Sequence, residues 1–504
     1  MVELTNQNVP IRKEFCLDES DFPTYDENST HKHKKSIALS YYQLYMTLIK
    51  SISGIRGTIG GPVGENLTPI DIVECTAAYA SFLNHKDPDK KTIVLGRDGR
   101  ISGPLVSGLV SQTLQMMGYD VIDLGLSTTP TVEIAVPLES AAGGIIITAS
   151  HNGKEWNALK FLNHKGEFIS HQDGEDILQF IADKNIESVA VDKLGSYVQN
   201  DDYIDIHIKQ ILDLPFLSTN KIIAKKFKVV VDSINSTGAL ILPKILEQLG
   251  AEVTLINGDI TGEFTHNPEP LPAHMTQLGD EVKRVGADLG ICVDPDVDRL
   301  AFVDEKGNAF GEEYTLVAVA DYILSKEPGN TVSNLSSTRA LSDVTKKYDQ
   351  EYVASAVGEV NVVTAMKKHN AVIGGEGNGG VILPALHYGR DAVVGVALML
   401  ALLAEKEITL SNLKASYPEY HIVKQKIQLT PSIDIQKILA TANEAFIKEK
   451  RSEVDGLKID FENGWVHLRK SNTEPIIRVY AEAASEQIAN ENIQLVKSSF
   501  NHLI

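Results

Sequence analysis

TIVLGRDGRISGPLVSGLVSQTLQMMGYDVIDLG, residues 92–125, passes from a short β-branched run through a longer helical pattern to a second short apolar run. GGIIITAS, 143–150, follows as a third strand-like run. Short apolar runs alternating with helical patterns argue for a parallel or mixed sheet flanked by helices. The order repeats downstream, first in KVVVDSINSTGALILPKILEQLGAEVTLING with LGICVDPDVDRLAFVDEKG, then in VSNLSST, YVASAVG, VNVVTAMKKH and AVIGGEGNGGVI. The last part differs: KIDFENGWVHLRKSNTEPIIRVYAEA reads as successive strands with an Asn463-Gly464 turn, then a helix from near Ser485. The reading is therefore α/β: three similar units, 46–199, 200–306 and 307–415, and a smaller α+β unit, 416–504. Residues 1–45 are polar and aperiodic and are expected to be a poorly ordered extension or an upstream start.

A length of 504 residues fits such a multidomain chain, at roughly 150 residues per domain. Charged residues make up 23% and hydrophobic ones 43%, a soluble composition. The formal charge of -20 argues against nucleic-acid or anionic-membrane partners, which demand a local Lys/Arg excess. Three scattered cysteines, Cys16, Cys75 and Cys292, make neither a disulfide framework nor a Cys-rich zinc site, so a reducing cytoplasm is expected. VVGVALMLALLA, 393–404, is too short to span a bilayer and reads as a buried helix. Oligomeric state has no signature in the sequence.

Four stretches carry chemistry. In TASHN the polar loop after a strand presents Ser150; it lacks the G-x-S-x-G elbow of a hydrolase nucleophile, a Ser/His/Asp triad stays open by sequence order, and a turn or cap serine is the plain alternative. In DPDVDR, Asp294, Asp296 and Asp298 alternate, so extended backbone would put three repelling carboxylates on one face. A hard divalent cation, magnesium rather than zinc, would relieve that repulsion. The rival readings are a solvated acidic turn and a phosphatase loop of haloacid-dehalogenase type with Asp294 as nucleophile. GGEGNGG, 374–380, has dinucleotide-fingerprint spacing, but Pro384 falls where the required helix would start; a flexible loop offering Glu376 and Asn378 to a polyhydroxylated ligand fits better. In RKSNTEPIIR, Arg469 and Arg478 bracket Ser471, Asn472 and Thr473, a set suited to phosphate oxygens, with an ordinary strand turn as the alternative.

Together, in this order, the four motifs resemble the α-D-phosphohexomutase family over nearly all of 46–504; SGIRGTIGG resembles its N-terminal signature. The resemblance implies four domains around a central cleft and a phosphoserine that exchanges its phosphoryl group with a hexose phosphate. On it, Ser150 is the phosphorylated residue, and Asp294, Asp296 and Asp298 hold Mg²⁺ beside a phosphoserine oxygen. Arg56 and Arg299 lie near the transferring group, Lys160 serves proton transfer, and His151 and Asn152 shape the loop. Glu376, with Asn378, faces the sugar, and Arg469, Ser471, Asn472, Thr473 and Arg478 grip the idle phosphate. A glucose or glucosamine 1,6-bisphosphate is implied as activator.

The chain departs from the family pattern at Gly153, where proline is common, and at Pro295 and Val297, where glycines are common. In the loop often written GE-x-SG-H, Asn378 and Gly380 stand at the Ser and His positions, which shifts proton transfer towards Lys160 or His151. Asn361 replaces the Lys or Arg often found after VG. The GEGNGG form resembles phosphoglucosamine mutases of some prokaryotes, so the expected substrate is glucosamine 6-phosphate. Phosphomannomutase or phosphoglucomutase is the alternative, and a magnesium-dependent sugar-phosphate phosphatase the distant one.

Overall fold

Apolar β-branched runs form the central strands of four sheets in the computed structural model, which describes residues 47–504 except 52–53, 431–432 and 472–474. The expected extension, 1–45, lies outside the described residues. The first sheet holds Ile49–Ser51 (β1), Gly54–Thr58 (β2), Thr92–Arg97 (β3), Asp120–Leu126 (β4), Gly143–Ile147 (β5), Trp156–Leu162 (β6) and Tyr197–Gln199 (β7), in the order β1-β2-β6-β5-β3-β4-β7. Strands β3, β4, β5 and β7 run parallel, and β6 turns back antiparallel on β5. The sheet is mixed for a physical reason: TASHN needs only a short loop to reach β6, whereas parallel neighbours need a helical crossover.

Those crossovers are Gly103–Met116 and Thr129–Leu138. Apolar cores lie on both faces of the sheet, one including Val110 and Leu114, the other Val132 and Val136. The second sheet contains Lys228–Asp232 (β8), Glu252–Ile256 (β9), Leu289–Val293 (β10) and Leu300–Asp304 (β11), in the order β11-β10-β8-β9. The third contains Thr331–Asn334 (β12), Tyr352–Ser355 (β13), Ile373–Glu376 (β14) and Gly380–Ile382 (β15), in the order β13-β12-β14-β15.

The run at 393–404 forms the helix Ala392–Lys406, apolar and buried almost throughout, as an interior helix must be. It lies in one continuous core shared by the second and third sheets, and Asp391 caps its start through Val393 N and Val394 N. Among the described residues no helix is long and apolar enough to cross a membrane.

The C-terminal sheet is antiparallel: His421–Gln428 (β16), Lys450–Ser452 (β17), Leu457–Phe461 (β18), Gly464–Lys470 (β19) and Ile476–Ala483 (β20), in the order β16-β20-β19-β18-β17. The turn between β18 and β19 is Glu462-Asn463, one residue earlier than expected, because Gly464 already pairs with Phe461 as the first residue of β19; Ser485 caps the final helix Glu486–Phe500. The fold is thus three α/β units with mixed sheets and a smaller C-terminal α+β unit.

Candidate active site

Ser150 sits just beyond β5 with φ of 49°, a left-handed conformation uncommon for a residue with a side chain. Hydrogen bonds hold it there. Thr148 Oγ1 accepts from Ser150 N and donates to Asp98 Oδ2. Arg100, fully buried, donates to the carbonyls of Ser150, Asn152, Gly153 and Trp156 while its Nε bonds Asp98. The loop is therefore rigid at the point where the hydroxyl projects. Ser150 Oγ donates to Asp294 Oδ2 at 2.6 Å, so the serine loop and the acidic loop meet.

The three aspartates do not alternate along a strand, as extended backbone would require. They occupy a turn between β10 and β11, with Val297 at φ 63°. Curling the chain brings one ligand atom of each aspartate within 4.8 Å of the others, and all three residues are buried. Asp294 Oδ1 accepts from the backbone N–H groups of Asp298 and Arg299. Asp296 Oδ2 accepts from Thr129 Oγ1 at 2.6 Å and Lys160 Nζ at 2.8 Å, and Asp298 Oδ2 from Arg390 at 2.6 Å.

The remaining oxygens, Asp296 Oδ1 and Asp298 Oδ1, are buried without a hydrogen-bond partner. Orphaned buried carboxylate oxygens are costly unless a cation meets them, and an all-oxygen set suits Mg²⁺. The residues present therefore fit the ion. A second cluster, Asp232, His266 and Cys292, is explained by hydrogen bonding: Asp232 Oδ2 bonds His266 Nε2, and Oδ1 accepts from Ile234 N and Asn257 Nδ2.

Electrostatics follow from burial and crowding. Burial, then Asp298 and Asp296, drives the Asp294 carboxyl well above the usual range. Burial would lower Lys160, but Asp296 and Asp298 outweigh it and hold the ammonium protonated. His151, whose Nδ1 lies 3.3 Å from Ser150 Oγ, is pushed down to about 2 by burial and by the charges of Arg299 and Arg56. Its imidazole stays neutral and is a weak base. Arg56 donates to Asn152 Oδ1 at 3.2 Å, and Arg299 pairs with Glu269 at 2.9 Å.

Glu376 is not on a flexible loop. It ends β14, is 5% exposed, and accepts from Asn334 Nδ2 and Gly358 N through Oε1 and from Arg390 through Oε2. Asn378 is half-buried, and its Oδ1 accepts from Gly380 N. The glycine run leads into β15 rather than a helix, which removes the dinucleotide reading. Arg469 and Arg478 pair across β19 and β20, and Arg469 feels the charge of Glu376. Ser471 is buried at the end of β19, with its N–H on Ile476 O; Asn472 and Thr473 lie outside the described residues.

Ser150, His151, Asn152, Arg56, Lys160, Arg299 and the three aspartates thus form one cluster, with Glu376 joined to it through Arg390. Arg100, Thr129 and Arg390 bond directly to Ser150, Asp296 and Asp298, and the motifs did not point to them. The signal available for Arg100 was a charged pair, Asp98 and Arg100, directly after the apolar strand β3.

Comparison with known proteins gives a consistent result. The chain matches the four families described as phosphoglucomutase/phosphomannomutase alpha/beta/alpha domain I at 48–187, domain II at 201–307, domain III at 311–420 and the C-terminal domain at 427–495. A probable phosphoglucosamine mutase of Methanopyrus kandleri is 33% identical, covering 87% of this chain and 94% of its own. A phosphoglucomutase/phosphomannomutase of Thermococcus kodakarensis is also 33% identical, covering 87% and 96%. In fold, a crystal structure of a phosphoglucomutase/phosphomannomutase family protein from Burkholderia thailandensis superposes with a TM-score of 0.78 at 24% identity, covering 90% of this chain and 97% of that one.

Proposed function

The chain belongs to the α-D-phosphohexomutase family and is an isomerase of that superfamily, and on this premise we propose that it interconverts glucosamine 6-phosphate and glucosamine 1-phosphate through a phosphorylated Ser150. The observation that carries the reading is the 2.6 Å contact of Ser150 Oγ with Asp294, in a buried cluster where Asp296 and Asp298 each keep an oxygen without a hydrogen bond.

Phosphorylated Ser150 adds about -1.5 to -2 charge beside three carboxylates. Asp294, Asp296 and Asp298 would hold magnesium there, and the ion, when bound, supplies positive charge to the transferring oxygens. Arg56, Arg299 and Lys160 add fixed cations on the protein side, the stabilisation that phosphoryl transfer chiefly requires. In the first half-reaction a sugar hydroxyl attacks phosphorus and the Ser150 Oγ–P bond breaks. Lys160, held protonated, gives its proton to Ser150 Oγ and recovers one from the attacking hydroxyl. The product is a 1,6-bisphosphate. After it reorients, Ser150 Oγ takes back the other phosphoryl group by the reverse proton path, so no phosphate is lost.

Glu376 orients the sugar hydroxyls, and Arg469, Ser471, Asn472, Thr473 and Arg478 hold the idle phosphate. Ser150 is 4% exposed, which limits attack by water on the phosphoserine. The phosphatase reading is disfavoured because the chain matches all four phosphoglucomutase/phosphomannomutase domains. The amino sugar rests on the GEGNGG loop and the Methanopyrus relative; the equally similar Thermococcus relative keeps the glucose and mannose phosphates as the second reading.

The test is a side-by-side assay of the three sugar 6-phosphates with Mg²⁺ and a trace of the matching 1,6-bisphosphate. Isomer formed fastest from glucosamine 6-phosphate is expected, with no stoichiometric phosphate release and at least a 1,000-fold loss, roughly, in Ser150→Ala. Release of inorganic phosphate in place of isomer, or normal turnover by Ser150→Ala, overturns the reading.

A further inference from the structure

The guanidinium of Arg390 lies between the acidic loop and the end of β14 at Glu376. Its NH2 donates to Asp298 Oδ2 at 2.6 Å, its NH1 to Glu376 Oε2 at 2.8 Å, and its Nε lies 3.1 Å from Glu359 Oε2. The Arg390 N–H also bonds Glu359 Oε1 at 3.0 Å, so main chain and side chain are anchored together. Arg390 is 8% exposed, with Asp298 and Glu376 almost fully buried beside it. A planar fork can bond two carboxylates in fixed directions and pair in charge with a third; a lysine ammonium, one compact charge, cannot hold the same span.

Its path explains a glycine. Arg390 bridges to Ile382 across the strand, and its stem crosses Gly380 so closely that a Cβ there would lie 2.3 Å from Arg390 Cδ and 3.0 Å from Cγ. Gly380 is not in a left-handed conformation, so close approach, rather than backbone freedom, requires glycine here. The stem cannot swing aside without pulling the guanidinium from its partners.

We infer that Arg390 is a positioning residue: through one guanidinium it sets the spacing between the metal carboxylate Asp298 and the sugar-facing carboxylate Glu376, and Gly380 is the opening that lets it do so. By engaging Oδ2 of Asp298, Arg390 leaves Oδ1, which has no hydrogen bond and lies 3.8 Å from Arg299 Nε, as the oxygen available to a cation. By engaging Oε2 of Glu376, while Asn334 and Gly358 engage Oε1, it fixes the carboxylate against rotation. The inference rests on the reading that the metal sits in the aspartate triplet and that Glu376 faces the sugar.

The test compares the wild-type protein with Arg390→Lys, Arg390→Met, Gly380→Ala and the Gly380→Ala/Arg390→Met double variant. It measures thermal unfolding, sugar-phosphate kcat and KM, and Mn²⁺ affinity from the free-ion electron paramagnetic resonance signal. Arg390→Lys keeps the charge and loses the span. It is expected to fold, to weaken Mn²⁺ binding about 10-fold, and to lower kcat/KM about 100-fold with a raised KM. Gly380→Ala, with every carboxylate and Arg390 intact, should show the same pattern in milder form. The double variant should fall within about twofold of Arg390→Met, because both changes remove one contact.

Wild-type Mn²⁺ affinity and KM in Arg390→Lys would overturn the inference, as would losses that multiply in the double variant. If Arg390→Met does not fold, Arg390→Lys and Gly380→Ala still decide the matter. A wild-type protein that forms no isomer removes the functional reading, yet the Mn²⁺ comparison still reports whether Arg390 orients Asp298.

Discussion

Asp294 accepts two backbone N–H groups through one oxygen and the Ser150 hydroxyl through the other, yet burial and then the charges of Asp298 and Asp296 disfavour its ionised form. Its folded pKa lies above the unfolded one. Its contribution to stability is therefore best below the ordinary carboxylate range and is lost as pH rises through the folded pKa. At neutral pH without metal, the site works against folding. Asp294→Asn keeps the shape and the backbone acceptor while removing one charge, so its metal-free melting temperature should equal or exceed that of the wild type. Mg²⁺ at about 100 times its Kd should stabilise the wild type by about 2.7 kcal/mol and the variant by much less. Melting curves in EDTA and in Mg²⁺ check both halves, and equal Mg²⁺ shifts in the two proteins would remove the metal from this site.

The serine loop shows what an element needs beyond its own residues. Arg100 spends all its donor directions on one turn: Asp98 through Nε and four loop carbonyls through the other nitrogens. Arg100→Lys retains the charge but leaves several buried carbonyls without donors. A loss of roughly 3 kcal/mol is expected at about 1–3 kcal/mol per stranded group. Misplacement of Ser150 by about 1 Å should lower kcat about 100-fold. Denaturant unfolding and turnover measure the two effects, and wild-type kcat in this variant would show that Ser150 holds itself.

Strand and helix order was legible because each run carried its own period, and Ser150 and the aspartates were legible because their motif is contiguous. Arg100 and Arg390 were not, since their partners are carbonyls and carboxylates far along the chain that only folding brings near. The aspartate geometry was misread for a related reason. Alternation presumes extended backbone, whereas the left-handed Val297 curls the loop, and nothing in a valine announces that conformation. The Gly380 departure likewise has a tertiary cause, the stem of Arg390.

At the scale of the molecule, the second and third sheets share one apolar core, while the first and last have their own. The first unit is tied to that shared body partly through a buried polar junction. Thr131 Oγ1 meets His207 Nδ1 at 2.9 Å, His207 Nε2 meets Asp391 Oδ2 at 2.9 Å, and His387 lies 3.3 Å from both Asp391 and Glu133. Burial would lower the His387 pKa, but Asp391 and Glu133 outweigh it and raise it to about 10. Burial raises Glu133 to about 8.

Both shifts favour the protonated folded state. The stabilisation from His387 is complete below the unfolded pKa of about 6.5 and is lost as pH rises through about 10; that of Glu133 fades through about 8. The wild type should therefore lose roughly 2–4 kcal/mol of stability between pH 6.5 and 10. His387→Gln can still hydrogen-bond but cannot gain charge, so it should be less stable at pH 6.5 and show a shallower decline. Metal-free unfolding at pH 6.5, 8 and 10 measures both slopes. Parallel declines would mean that the alkaline loss arises elsewhere, and that this junction joins the units by packing alone.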